Sequence, residues 1–179
     1  MNPIAVAIDA LLPQTQCTRC GFDGCAPYAE AIASGQAPIN RCPPGGDQTI
    51  GALAALLDRP VMALDPECGE SMPHRVAVID EAACIGCAKC LAPCPTDAIL
   101  GASKFLHRVV ASLCTGCELC IPPCPVDCIV MVEDPEHPAM MDKNLARQRF
   151  QDHKTRVARR QAEREALLAE RERSVLGES

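Results

Sequence analysis

Residues Cys84–Ile99, CIGCAKCLAPCPTDAI, and residues Cys114–Ile129, CTGCELCIPPCPVDCI, are two copies of one pattern, offset by 30 residues and identical at nine of sixteen positions. Each copy runs C-x2-C-x2-C-x3-C-P. Three thiols spaced three apart wrap a tight loop around one corner of a compact inorganic cluster. Gly86 and Gly116 remove a Cβ where the backbone must come close, and Pro95 and Pro125 turn the chain away after the fourth thiol. A zinc ribbon needs paired C-x2-C knuckles and has no use for a doubled four-cysteine run ending in proline. In runs of this form the first three thiolates hold one [4Fe–4S] cluster and the fourth reaches across to the other. That rule assigns Cys84, Cys87, Cys90 and Cys124 to one cluster, and Cys114, Cys117, Cys120 and Cys94 to its neighbour.

Around the two copies lie β-type runs at Arg75–Ile79, Phe105–Val110 and Ile129–Val132. Each half is therefore expected to read strand, loop, short helix, strand. Over its whole length, about Arg75 to Val132, this region resembles the bacterial two-cluster ferredoxins. The resemblance implies a pseudo-twofold α+β fold with the clusters inside tunnelling distance. It also implies outer-sphere transfer of single electrons, every iron being capped by thiolate, at low potentials near about -400 mV.

Upstream, CTRCGFDGC (Cys17–Cys25) opens a second kind of set, C-x2-C-x4-C-x16-C, made of Cys17, Cys20, Cys25 and Cys42. Gly21 and Gly24 permit a tight loop, and Cys42-Pro43 repeats the thiol-then-proline grammar. Spacing alone admits one [4Fe–4S] cluster or one structural zinc. PYAEAIASG reads as a short helix ended by Gly35, and Asp47–Leu57 as another before Pro60. The run IDALLPQTQCTRCGFDGCAPYAEAIASGQAPINRCPPGG resembles the four-cysteine iron–sulfur domain of the B subunit of Rnf/Rsx electron-transport complexes, a domain related to one in corrinoid iron–sulfur proteins. Both modules occur in B-subunit order, so the resemblance covers about residues 4–132. It implies a third [4Fe–4S] cluster and a three-cluster electron relay. B subunits of that family commonly begin with a hydrophobic anchor, whereas this chain opens almost at the iron–sulfur domain; no membrane-spanning segment is expected in it.

Composition agrees. Among 179 residues there are 14 Cys, 16 Pro and 11 Gly, with no Trp, one Tyr and three Phe, so no large aromatic core is available. Small cores of this kind need a staple of disulfide or metal. MNPIAVAIDALLPQTQ lacks the basic start of a secretory signal, and reduced cytosolic thiols favour metal over disulfides. The net charge of -6 divides into an acidic body, residues 1–141, and a basic segment, residues 142–173. An acidic body suits basic redox partners and argues against nucleic acid. No nucleophile–base pair, phosphate loop or GxGxxG run is present, which places any flavin or nicotinamide on a partner; no catalytic residue is assigned.

Two cysteines fall outside the tetrads. Cys128 aligns with Ala98 and reads as small core filler, while Cys68, in a Pro/Gly-rich linker, reads as an exposed or half-buried thiol. His74, His107, His137 and His153 read as solvated or structural, Asp97 and Asp127 as caps of the turn after the fourth thiol, and Arg19 and Lys89 as water-facing. From Asp142 to Ser174 the chain is rich in Ala, Arg, Glu and Leu without Gly or Pro and reads as a helix too sparse in apolar residues for a heptad. A solvated helix is expected there, with a partner or membrane-surface contact as the alternative.

The fold class expected is α+β: a helical four-Cys iron–sulfur domain (1–59), a linker (60–74), a pseudo-twofold ferredoxin-type domain carrying two [4Fe–4S] clusters (75–138) and a basic helical tail (139–179). Three [4Fe–4S] clusters are expected in all. The leading functional expectation is a three-cluster relay component of an Rnf/Rsx-type ion-translocating oxidoreductase complex, cytoplasmic or peripheral on the cytoplasmic membrane face. Its expected partners are other subunits of such a complex or a flavin/iron–sulfur oxidoreductase, with any ion pumping left to membrane subunits. The alternatives are a free-standing polyferredoxin serving a soluble oxidoreductase, and an interaction protein whose clusters only staple the fold.

Overall fold

The computed structural model describes residues 2–133, 136 and 141–176. Three helices, α1 (Pro3–Leu11), α2 (Cys25–Ala33) and α3 (Gly46–Leu57), surround the first core. Of these, α1 has no counterpart among the helices expected from the sequence. It is started by the Asn2 side chain, which accepts from the Ile4 N–H at 3.0 Å, and by Pro3 in the first turn. α2 ends where expected, at Gly35 (φ +75°). Ile8, Leu12, Tyr28, Ile32, Ile50 and Leu53 are buried together with Cys20, Cys25 and Cys42. The single tyrosine ties this core to its loops: the Tyr28 hydroxyl donates to Pro38 O (2.9 Å) and accepts from the Arg41 N–H (3.0 Å).

The second core gathers Val76, Ala77, Ile79, Ile99 and Ile129 around six buried cysteines, Cys90, Cys94, Cys114, Cys120, Cys124 and Cys128. Its strands are short: β1 (Val76–Ile79), β2 (Ile99–Leu100), β3 (Arg108–Val109) and β4 (Ile129–Val132). β1 pairs antiparallel with β4, Ile79 opposite Ile129; β2 pairs antiparallel with β3, Ile99 opposite Val109. The 30-residue offset carries one ladder onto the other, and the bonds beyond the ladders match too. Asp80 N–H donates to Cys128 O and Val110 N–H to Ala98 O, both at 2.8 Å.

Two expectations are corrected here. Strand β3 is confined to Arg108–Val109 rather than Phe105–Val110, and Phe105 and Leu106 stand exposed. In place of the short helix expected between the thiols, successive turns form, Leu91 N–H to Ala88 O and Cys94 N–H to Leu91 O. Positive φ at Ala88 (61°), matched at Glu118 (64°), stops helical propagation.

α4 (Lys143–Leu176) is a single 34-residue helix. Asp142 starts it, accepting from the N–H groups of Asn144 and Leu145 at 3.0 Å. Its first half is not the solvated helix expected from the sequence. Ala146 and His153 are buried. Arg147 grips the Asp9 carboxylate and carbonyl, each at 2.9 Å; Arg149 Nε donates to Thr96 O (2.7 Å); His153 and Arg156 both meet Asp97, His153 at 2.8 Å. Those contacts lash the helix to both cores. Burial pushes the Asp97 carboxyl up, but Arg156 and His153 outweigh it and hold the group below the ordinary carboxylate range. Asp97 is therefore a docking residue for α4 rather than a turn cap. Beyond Arg156 the helix is exposed, and its Arg159–Glu163 pair is water-washed and of small energetic worth.

The two cores also touch directly. Thr115 Oγ1 donates to Thr15 O at 3.2 Å, and Arg19 pairs with Glu118 at 2.6 Å, so Arg19 does not face water alone. His137 and the boundary at 138/139 lie outside the described residues. If these contacts hold α4 down, Arg147→Ala or Asp97→Ala should lower the opening free energy of amides 145–156 by roughly 1–2 kcal/mol in hydrogen exchange, leaving amides 160–173 unchanged.

Candidate metal centres

Each cysteine set from the sequence surrounds a space of its own. Cys17, Cys20, Cys25 and Cys42 line one cavity, with Leu12, Tyr28 and Pro43 closing it. Cys94, Cys114, Cys117 and Cys120 line a second, with Ala77, Ile99 and Met131. Cys84, Cys87, Cys90 and Cys124 line a third, joined by His107 and Cys128. The three spaces are alike in lining, each walled by one four-cysteine set together with apolar side chains. Among the described residues, no three His, Cys, Asp or Glu side chains are gathered as a single metal ion would need.

The loops that aim these thiols share a backbone signature. Positive φ recurs at Gly86 and Gly116 (67° and 69°), and at Asp97 and Asp127 (51° and 48°). At the two glycines a Cβ would also strike backbone. It would stand 2.8 Å from Phe105 O at Gly86 and 2.6 Å from Arg75 O at Gly116. Both constraints explain why glycine sits inside each loop.

Behind Cys17–Cys25 runs a polar scaffold that the sequence did not disclose. Gln14 Nε2 donates to the Asp9 carbonyl and carboxylate, Gln16 Nε2 donates to Gln14 Oε1, and Gln16 Oε1 accepts the Cys25 N–H at 2.9 Å. Gln14, Thr15 and Gln16 are buried, and Arg147 of α4 closes the far end on Asp9. The signal was a QTQ run between Leu12 and Cys17, polar residues set in apolar surroundings.

Charge chemistry at the thiols follows from burial. It pushes Cys25, Cys117 and Cys120 up to about 12 and Cys90 up to about 11, and raises Cys20, Cys42 and Cys94 as well. Thiols so placed hold their protons until a cationic centre displaces them, which iron does on binding. Cys124 runs the other way. Burial raises it, yet N–H groups of Val126 and Cys128 and the Cys128 thiol outweigh that and lower it.

The remaining residues divide. Cys68 is buried, not exposed, and accepts from Arg41 Nε at 3.3 Å. Cys128 is buried as expected for filler, but its Sγ lies 3.5 Å from Cys124 Sγ inside the third cavity. His107 is buried, its Nδ1 3.5 Å from Cys84 Sγ. Lys89 and Asp127 are exposed, and a Cβ on Gly116 would stand 3.5 Å from His74 Nδ1.

Comparison with known proteins joins these centres to named families. A family model described as "4Fe-4S dicluster domain" matches residues 77–131, and one described as "Putative Fe-S cluster" matches residues 12–44. A Pseudomonas aeruginosa (strain UCBPP-PA14) protein, named as the B subunit of an ion-translocating oxidoreductase complex, is 60% identical over 135 residues, covering 75% of this chain and 70% of its own length. The chain belongs to this B-subunit family. Relatives of the same name from Alkalilimnicola ehrlichii (60% identical over 111 residues; 61% of this chain, 59% of the relative) and Hahella chejuensis (62% over 109; 61% and 55%) agree. The chain spans about six tenths of the length of these last two relatives.

The family models cover both cysteine regions, so iron–sulfur clusters are the cofactor class of this B-subunit chain. The donor set fits: it is all-thiol, buried or half-buried except for the exposed Cys87, and arranged around shared spaces. Because their would-be Cβ atoms meet backbone, Gly86→Ala and Gly116→Ala should each destabilise the loaded protein by roughly 2 kcal/mol or more in denaturant unfolding. Gly35→Ala, at φ +75° with open space around it, should cost about 1 kcal/mol.

Proposed function

We propose that the chain is the electron-relay part of a B subunit, passing single electrons through three [4Fe–4S] clusters to and from other subunits of an ion-translocating oxidoreductase complex. The observation that carries this reading is the coincidence of three spacing motifs with three cavities, each lined by the four cysteines of one assigned set. In it, Cys17, Cys20, Cys25 and Cys42 hold the first cluster. Cys84, Cys87, Cys90 and Cys124 hold the second, and Cys94, Cys114, Cys117 and Cys120 the third. Zinc on the first set is disfavoured by the iron–sulfur family model that matches residues 12–44. The matched ladders and the recurring φ values support a pseudo-twofold ferredoxin-type unit over 75–138, preceded by a four-Cys unit over 1–59 and a linker over 60–74.

The clusters supply one-electron chemistry without bond making at a substrate; the protein's part is to hold, order and insulate them. The Thr115–Thr15 and Arg19–Glu118 contacts join the Cys114–Cys120 loop to the Cys17–Cys25 loop. Those contacts support an order in which the Cys94/Cys114/Cys117/Cys120 centre lies between the other two. At the far end Cys87 is exposed, and Ile85, Phe105 and Leu106 around that loop are exposed apolar residues. This end is where an electron passes to a partner, another subunit or a flavin/iron–sulfur protein. Among the described residues no helix is long and apolar enough to cross a membrane. Contact with a membrane surface, where it occurs, falls to the exposed Arg159, Arg160 and Arg164 side of α4, since Arg147, Arg149 and Arg156 are engaged by the body.

Protein prepared without oxygen should contain about twelve iron and twelve acid-labile sulfide per chain, no zinc, and be reversibly reduced by dithionite. About eight of each with one zinc would make the Cys17–Cys42 set a structural staple, and a loaded protein that dithionite cannot reduce would end the relay reading.

A further inference from the structure

The two ferredoxin-type centres are built from one repeat, yet the side chains around their sulfurs differ. At the Cys94/Cys114/Cys117/Cys120 centre the Thr115 hydroxyl stands beside Cys117 with its proton given to Thr15 O, and the counterparts of His107 and Cys128 offer main chain only. Ala77 N–H faces Cys114 Sγ at 3.5 Å, and Ala98 N–H faces Cys94 Sγ at 3.3 Å. Shifted by 30 residues, Ala77 becomes His107 and Ala98 becomes Cys128. His107 Nδ1 lies 3.5 Å from Cys84 Sγ, and Cys128 Sγ 3.5 Å from Cys124 Sγ, both within the cavity of the Cys84 set.

The fold makes room for this difference. Gly101, just after β2, lies over the imidazole: a Cβ there would strike His107 Cδ2. The repeat partner of Gly101 is Met131, which stands opposite Ala77 in the β1–β4 ladder. One half thus pairs a small residue with a large one, and the other half reverses the order. The ring's protonation follows from its partners. Nε2 is buried and has no hydrogen-bond partner among the described residues, whereas Nδ1 faces a sulfur that, as a cluster ligand, only accepts. A buried N–H without an acceptor is costly, so the proton belongs on Nδ1. By the same reasoning Cys128 donates its S–H to Cys124, whose thiolate would be occupied by iron.

We propose that His107 and Cys128 are positioning residues that donate hydrogen bonds to the sulfurs of Cys84 and Cys124 and thereby set this centre at a higher potential than its repeat twin. Taking up one electron adds negative charge that spreads onto the thiolate sulfurs, so donors aimed at them stabilise the reduced form. Exposure of Cys87 acts at the same centre. An electron arriving through the buried middle centre therefore comes to rest at the outer one, beside the apolar rim of Ile85, Phe105 and Leu106. This rests on the three-cluster reading above.

The test is a dithionite potentiometric titration of the full, cluster-loaded chain, followed by electron paramagnetic resonance, with iron counted on the same samples. In Cys128→Ala, which installs the residue the twin already carries, and in His107→Leu, one reduction step should move to lower potential while the others stay. The expected shift is about tenfold in the reduction equilibrium for His107→Leu, equivalent to about 59 mV for one electron, and smaller for Cys128→Ala. His107→Asn, whose side-chain N–H can occupy the Nδ1 position, should recover most of the loss. Unmoved potentials in fully loaded Cys128→Ala and His107→Leu proteins, or equal shifts at every centre, would overturn the inference. If His107→Leu fails to load, Cys128→Ala decides it. Absence of cubane clusters from the wild-type chain would overturn the relay reading itself, an outcome the iron count reports separately.

Discussion

Everything else in this structure depends on thiols being drawn inward around three enclosed spaces. The strands of the second core are two to four residues long and form two separate two-stranded sheets, each too small to stand alone in water. Six of that core's buried members are cysteines. Apolar burial is thus shared with groups whose preferred partner is iron. A chain with three Phe, one Tyr and no Trp has little other means of filling these cores. Function and stability here rest on the same atoms.

The same constraint accounts for the backbone. The loops that turn three thiols toward one centre within seven residues are not helical; the chain uses left-handed positions at Gly86, Ala88, Gly116 and Glu118. Ala88 and Glu118 carry the ordinary cost of such a conformation for a residue with a Cβ. At Glu118 the side chain gains something in return: it sits between Arg19 and Arg75, joining the first core to the second.

α4 adds an outer constraint. Arg147 reaches the Asp9–Gln14–Gln16 scaffold behind Cys25, while His153 and Arg156 reach Asp97, three residues after Cys94. One helix is therefore coupled to the supports of two centres. An isolated, highly charged helix would otherwise depend only on its own propensity.

Much of this was legible in the sequence because the cysteine runs are local. Twelve thiols fall into spacings that leave few ways to share them, and the repeat of Cys84–Ile99 at Cys114–Ile129 lets the strands that flank it, β1 and β4, be read from β-branched runs. α2 and α3 were legible from Gly and Pro punctuation. Helix α1 was not, because Ile4–Leu12 is short and apolar, a pattern that does not separate helix from strand. What only the tertiary structure decided are contacts between residues far apart in the chain: Arg147 on Asp9, Thr115 on Thr15, Cys68 buried against Arg41, and His107 with Cys128 in the cavity of the Cys84 set. Spacing brings the first three thiols of each run to one loop, since a loop of a few residues can close in few ways. It cannot say which distant side chain comes to lie 3.5 Å from a ligand sulfur, because that depends on how separately formed loops and strands are packed together.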